Sequence, residues 1–84
     1  MLSHKLATPL NPLEKSIQQA MKRQGCTAAD LADLVGMAPT NFSLARNLKR
    51  SFPLSALLKL LELADLNSDQ KIRVIEWLAV LKAS

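Results

Sequence analysis

The sequence predicts an all-α fold of five helices, a single domain over residues 1–84. Three observations predict it. The chain is 49% hydrophobic yet has only two glycines and no tyrosine, a composition that disfavours an all-β fold. Its apolar residues recur at spacings of three and four, the period of a helix buried along one face. Between these runs stand residues that start and stop helices, from Asn11-Pro12 and Gly25 to Pro53 and Asn67. At 84 residues only about 60% of the unfolded surface can be buried, so stability is modest unless copies associate.

Residues 1–10 lack periodicity and contain Pro9; they are read as an arm or extended lead-in. Asn11 is the expected N-cap of the first helix, with Pro12 at its first position and Glu14 completing a capping box. Leu13, Ile17, Ala20, Met21 and Gln24 share one face. Gly25 ends the helix, because glycine enters the left-handed region cheaply. Thr27 caps the second helix with Asp30 three residues on, and Ala28, Leu31, Ala32 and Val35 form its apolar side. Gly36 ends it.

The third helix starts near Ala38, with Pro39 in the first turn, where a missing N–H is harmless. Phe42 and Ala45 face inward, and Asn47 is the expected left-handed terminator. Ser51 is read as the cap of the fourth helix, with Pro53 in its first turn. Leu54, Leu57, Leu58 and Leu61 form its core stripe, widened by Leu60 and Leu63. Asn67 and Gln70 make another capping box before the fifth helix, residues 67–83.

Charge is uneven. The net +4 lies entirely in residues 1–50, and residues 51–84 sum to zero. A basic first part beside a neutral second part suits a polyanion-binding half and a self-association half.

Thr27 to Ala45 read as two short helices joined at a glycine. Ala32 must be small where the third helix crosses it, and Gly36 supplies a positive φ in the turn. Leu31, Val35, Met37, Phe42 and Ala45 pack inward, which leaves Ala38, Pro39, Thr40, Asn41, Ser43 and Leu44 outward. The segment resembles a helix-turn-helix. From Leu13 to Leu66 the pattern is similar to the lambda-repressor-like family of phage and bacterial regulators. The match rests on Leu31-Ala32, Leu34-Val35-Gly36-Met37 and Phe42-Ser43. Leu48 stands where that family commonly has glycine, Ala45 where a larger apolar residue is usual, and the outward face lacks the frequent Gln or Arg.

The resemblance implies a sequence-specific regulator, of the Cro-like or small-repressor kind, acting on double-stranded DNA in a bacterial cytoplasm. Its third helix would lie in the major groove with Ala38, Pro39, Thr40, Asn41, Ser43 and Leu44 toward the bases. Asn41 has the amide that pairs with adenine N6 and N7. Arg46, Asn47, Lys49 and Arg50 are the expected phosphate contacts, with Lys5 on the arm.

The fifth helix carries more apolar surface than one small domain can cover. Ile72, Val74, Ile75, Trp77, Leu78 and Leu81 are therefore the expected interface of a homodimer, with Trp77 central. Such a dimer would bind a near-palindrome with half-sites about one DNA turn apart.

Other chemistry finds little support. The one cysteine, Cys26, excludes an internal disulfide. A redox switch is one reading of its place near a helix N-terminus, though a structural or incidental cysteine is the simpler one. His4 stands alone on the arm, and no phosphate-cradling glycine loop is present. No enzyme, cofactor or metal is expected. The stretch Leu54–Leu66 is too short and too charged for a membrane span, and the N-terminus lacks the pattern of a signal peptide. A second function class stays open: a protein-binding module of the same fold, such as an antitoxin or antirepressor, with weak or no specific DNA binding.

Overall fold

The computed structural model describes the backbone of residues 11–83 and the side chains as far as Leu81. The arm, with His4 and Lys5, lies outside the described residues. Five helices follow in order: α1 Pro12–Gln24, α2 Ala28–Leu34, α3 Pro39–Arg46, α4 Leu54–Leu63 and α5 Ser68–Ala83. No strand occurs among the described residues. None of the helices is long and apolar enough to cross a membrane.

Helix α1 is the hub. It packs on α4, on α5 and on α2, and α2 packs on α3. Its buried residues are Leu13, Ser16, Ile17 and Ala20, an i, i+3, i+4, i+7 stripe. Ser16 replaces Gln24 in the expected face; its hydroxyl donates to the Pro12 carbonyl at 2.9 Å, so burial leaves no polar atom unmet. Gln24, the last residue of α1, is exposed.

The caps follow the sequence with three corrections. The Thr27–Asp30 box closes in both directions, as does the Asn67–Gln70 box. At α1, Asn11 accepts from the Glu14 N–H at 2.7 Å, but the Glu14 carboxylate is drawn away to Arg46 and Gln18. Only half of that box is made. At α4 the N-cap is Pro53, not Ser51. A cap at Ser51 would put Phe52 into helical geometry, and the ring of Pro53 disfavours that for the residue before it. At the end of α3, Asn47 has φ −90° and the left-handed residue is Leu48, φ 63°.

Four helices end alike. The left-handed residues Gly25, Gly36, Leu48 and Asp65 are each followed by an N–H that reaches back five residues. These bonds are Cys26 to Met21, Met37 to Ala32, Lys49 to Leu44 and Leu66 to Leu61. This pattern satisfies carbonyls that the helix end would otherwise strand. Two of the four positions use a side-chain-bearing residue where glycine costs least.

The core runs through Leu13, Ile17, Leu31, Phe42, Leu57, Leu60, Leu61 and Val74. Helix α4 is rotated from the expected stripe. Ala56, Leu57, Leu60 and Leu61 are buried, while Leu54 and Leu58 are exposed. Leucine covers nearly the whole circumference of α4, so its pattern does not define a unique inner face. The alanines decide: Ala56 and Ala64 are the small positions, both buried, that let α1 approach closely.

Candidate nucleic-acid interface

Helix α3 is anchored by two side chains and projects the rest. Phe42 and Ala45 are buried, whereas Ala38, Pro39, Thr40, Asn41 and Ser43 are exposed. Leu44 is half-buried, because it begins the turn that folds back over the end of α3. Pro39 occupies the first position after the N-cap Ala38, whose own side chain makes no capping bond. The exposed N-terminal half of α3 therefore presents the polar Thr40 and Asn41 beside the apolar Ala38 and Pro39.

The joint after α3 is clamped against it. Phe52 meets Phe42 edge to face, with ring centroids 5.7 Å apart and planes at 86°, a favoured aromatic geometry. The Lys49 N–H closes on the Leu44 carbonyl at 2.8 Å. Asn47 turns its amide back to the Ser43 carbonyl at 2.9 Å. These bonds place Lys49 and Arg50, both exposed, beside the projecting face of α3. Arg50 Nη1 donates to Asn41 Oδ1 at 2.9 Å, which joins the joint to the middle of the helix.

Arg46 stands apart from this basic edge. Its guanidinium forks onto Glu14 of α1, Nε to Oε1 at 2.9 Å and Nη2 to Oε2 at 2.6 Å. Both side chains are largely covered, 26% and 18% exposed. The hydrogen bonds from Arg46 hold the Glu14 carboxyl below the ordinary glutamate range, against the opposing effect of burial. The same bonds raise Arg46. An arginine bound in this way is a strut between α3 and α1, which corrects its expected place among outward phosphate contacts.

The apolar surface expected on α5 is present but differently composed. Ile72, Ile75 and Leu81 are exposed. Val74 is 3% exposed and belongs to the core, and Trp77 and Leu78 are half-buried against that core. Val74 is thus removed from the expected interface, and Trp77 is displaced from its centre. Helix α5 turns the Val74–Leu78 side to the domain, because that side meets α1 and leaves the Ile75 side open.

An open groove of about 510 Å³ lies beside the open side of α5. Leu48, Phe52, Leu54 and Leu57 line one wall, and Ile75, Leu78 and Leu81 the other, with Lys49 and Arg50 at the rim. The sequence reading missed Leu48 and Leu54 here. For Leu54 the signal was the surplus of leucine on α4, more than one helix face can bury; Leu48, in the joint before α4, carried no such signal.

No family model, characterised protein or solved structure matches the chain. The geometry alone therefore carries the functional argument.

Proposed function

We propose that the chain is a sequence-specific DNA-binding regulator that reads the major groove with α3 and binds as a dimer. The observation that carries this reading is the exposed polar half of α3, fixed by Phe42 and Ala45 and bordered by Lys49 and Arg50. A helix of this kind fits a major groove about 12 Å wide. Thr40, Asn41 and Ser43 offer hydrogen bonds to base edges, and Ala38 and Pro39 offer apolar contact to thymine methyls. Lys49 and Asn47 fix orientation on phosphates. The α2–α3 pair, joined through Gly36 at φ 81°, supports a helix-turn-helix of the lambda-repressor-like kind. On this reading the chain is not an enzyme.

Dimerisation uses the groove between the α3–α4 joint and α5. Leu48, Leu54, Ile75 and Leu81, each exposed, are an apolar surface that a second copy covers. The groove shares its rim with Lys49 and Arg50, so a dimer formed there keeps the basic edge beside each α3 close to the interface. Half-sites would then lie about 34 Å apart.

The same groove favours a second reading, in which a partner protein fills it and DNA binding is weak. Duplex affinity measured across salt concentration separates the two. A regulator gives a log–log slope of several, near the number of phosphates neutralised. A shallow slope with weak affinity supports the partner-protein reading.

A further inference from the structure

We infer that Asn41 and Arg50 act as one unit that reads guanine. This deepens the duplex-reading proposal and rests on it. The sequence alone makes Asn41 an adenine reader, which needs its amide to donate to N7 and its carbonyl to accept from N6. In the folded chain that carbonyl already accepts from Arg50 Nη1 at 2.9 Å. What the pair offers outward is then mainly donors: the amide hydrogens of Asn41 and the remaining guanidinium hydrogens of Arg50, against one lone pair left on Asn41 Oδ1. Among base edges in the major groove, guanine presents two adjacent acceptors, O6 and N7. Adenine presents one acceptor and one donor, and a donor facing a donor is repelled.

The position of Arg50 agrees with this role. Among the described residues no carboxylate pairs with it; the ion pairs there join Arg23 to Asp65 and Arg46 to Glu14. Its partner stands nine residues earlier in the chain, on the exposed face of α3. The bond ties the guanidinium to a residue of that face. Asn41 is thereby a positioning residue for Arg50 as well as a donor itself. Arg50 is reassigned from phosphate binding to specificity.

The test uses the full chain and a duplex recovered by selection from a random library. Each guanine of the half-site is replaced by adenine or by 7-deazaguanine, which lacks the N7 acceptor. One guanine is expected whose replacement by either weakens binding about tenfold or more. Arg50→Lys keeps the charge but loses the planar fork. It should keep the salt slope and lose most of the guanine-over-adenine preference at that position. Asn41→Ala should weaken the same preference, with unchanged helical circular dichroism in both variants. An adenine selected there, or a guanine preference untouched by Arg50→Lys, overturns the inference while the duplex-reading proposal stands. A folded chain that selects no sequence overturns both.

Discussion

Arg46 of α3 and Glu14 of α1 are joined by a two-point ion pair, with hydrogen bonds of 2.9 and 2.6 Å. The bond spans 32 residues of sequence and ties the projecting helix to the hub of the fold. Gln18 adds a third contact to the same carboxylate at 2.9 Å. Because Arg46 is occupied, its removal should act on stability and leave the ionic part of binding alone.

Glu14→Gln is expected to lower stability by about 2 kcal/mol at pH 7, between the values for exposed and buried pairs. The sign with pH follows from the depressed Glu14 pKa. The contribution is fully present above the unfolded glutamate value of about 4.3 and is lost as pH falls through the lower folded value. Urea melts of both chains from pH 7 to pH 2 should show the gap open at neutral pH and closed in acid. A gap independent of pH would contradict the assignment.

Lys49→Ala and Arg46→Ala should separate in a salt titration of duplex binding. Lys49→Ala is expected to reduce the log–log slope by about 1. Arg46→Ala should leave the slope unchanged and lower the melting temperature. The reverse pattern would return Arg46 to the phosphate contacts.

Leu48 has φ 63°, a conformation that costs a non-glycine residue about 1–2 kcal/mol. Leu48→Gly is therefore expected to be about 1 kcal/mol more stable than Leu48→Ala, although glycine is normally the less stable of the two. Chemical denaturation of the pair below the dimer concentration measures this. Leu48→Ala as the more stable variant would show that the strain is absent.

Sedimentation tests the groove. Leu54→Asp places an acid in the first turn of α4, where the helix dipole favours it, so the fold should persist. The variant is expected to be a monomer at tens of micromolar, where the parent chain is expected to be a dimer. Val74→Ala removes core volume and should cost about 2 kcal/mol without a selective effect on association. A dimer undisturbed by Leu54→Asp would move the interface elsewhere.

Local signals made much of this fold legible. Thr27 with Asp30 and Asn67 with Gln70 cap as their spacing requires, and Gly25 and Gly36 take the positive φ that glycine allows. The exposure of Ala38, Pro39, Thr40, Asn41 and Ser43 on α3 was also readable, whereas Leu44, as apolar as a core residue, is half-buried. Three failures share a cause: the deciding partner is distant in sequence. Glu14 satisfied a local capping pattern, yet its carboxylate goes to Arg46. Leu54 and Leu58 matched the helical period, yet α1 meets the other side of α4. Val74 and Ile75 are equally apolar neighbours, and only packing separates the buried one from the exposed one.

The most direct test of the account is selection of binding sites from a random duplex library with the full chain at near-physiological salt. The account predicts enrichment of a near-palindrome with half-sites about one DNA turn apart. A folded chain that enriches no sequence would contradict it, and the groove around Leu54 and Ile75 would become the place to seek a protein partner.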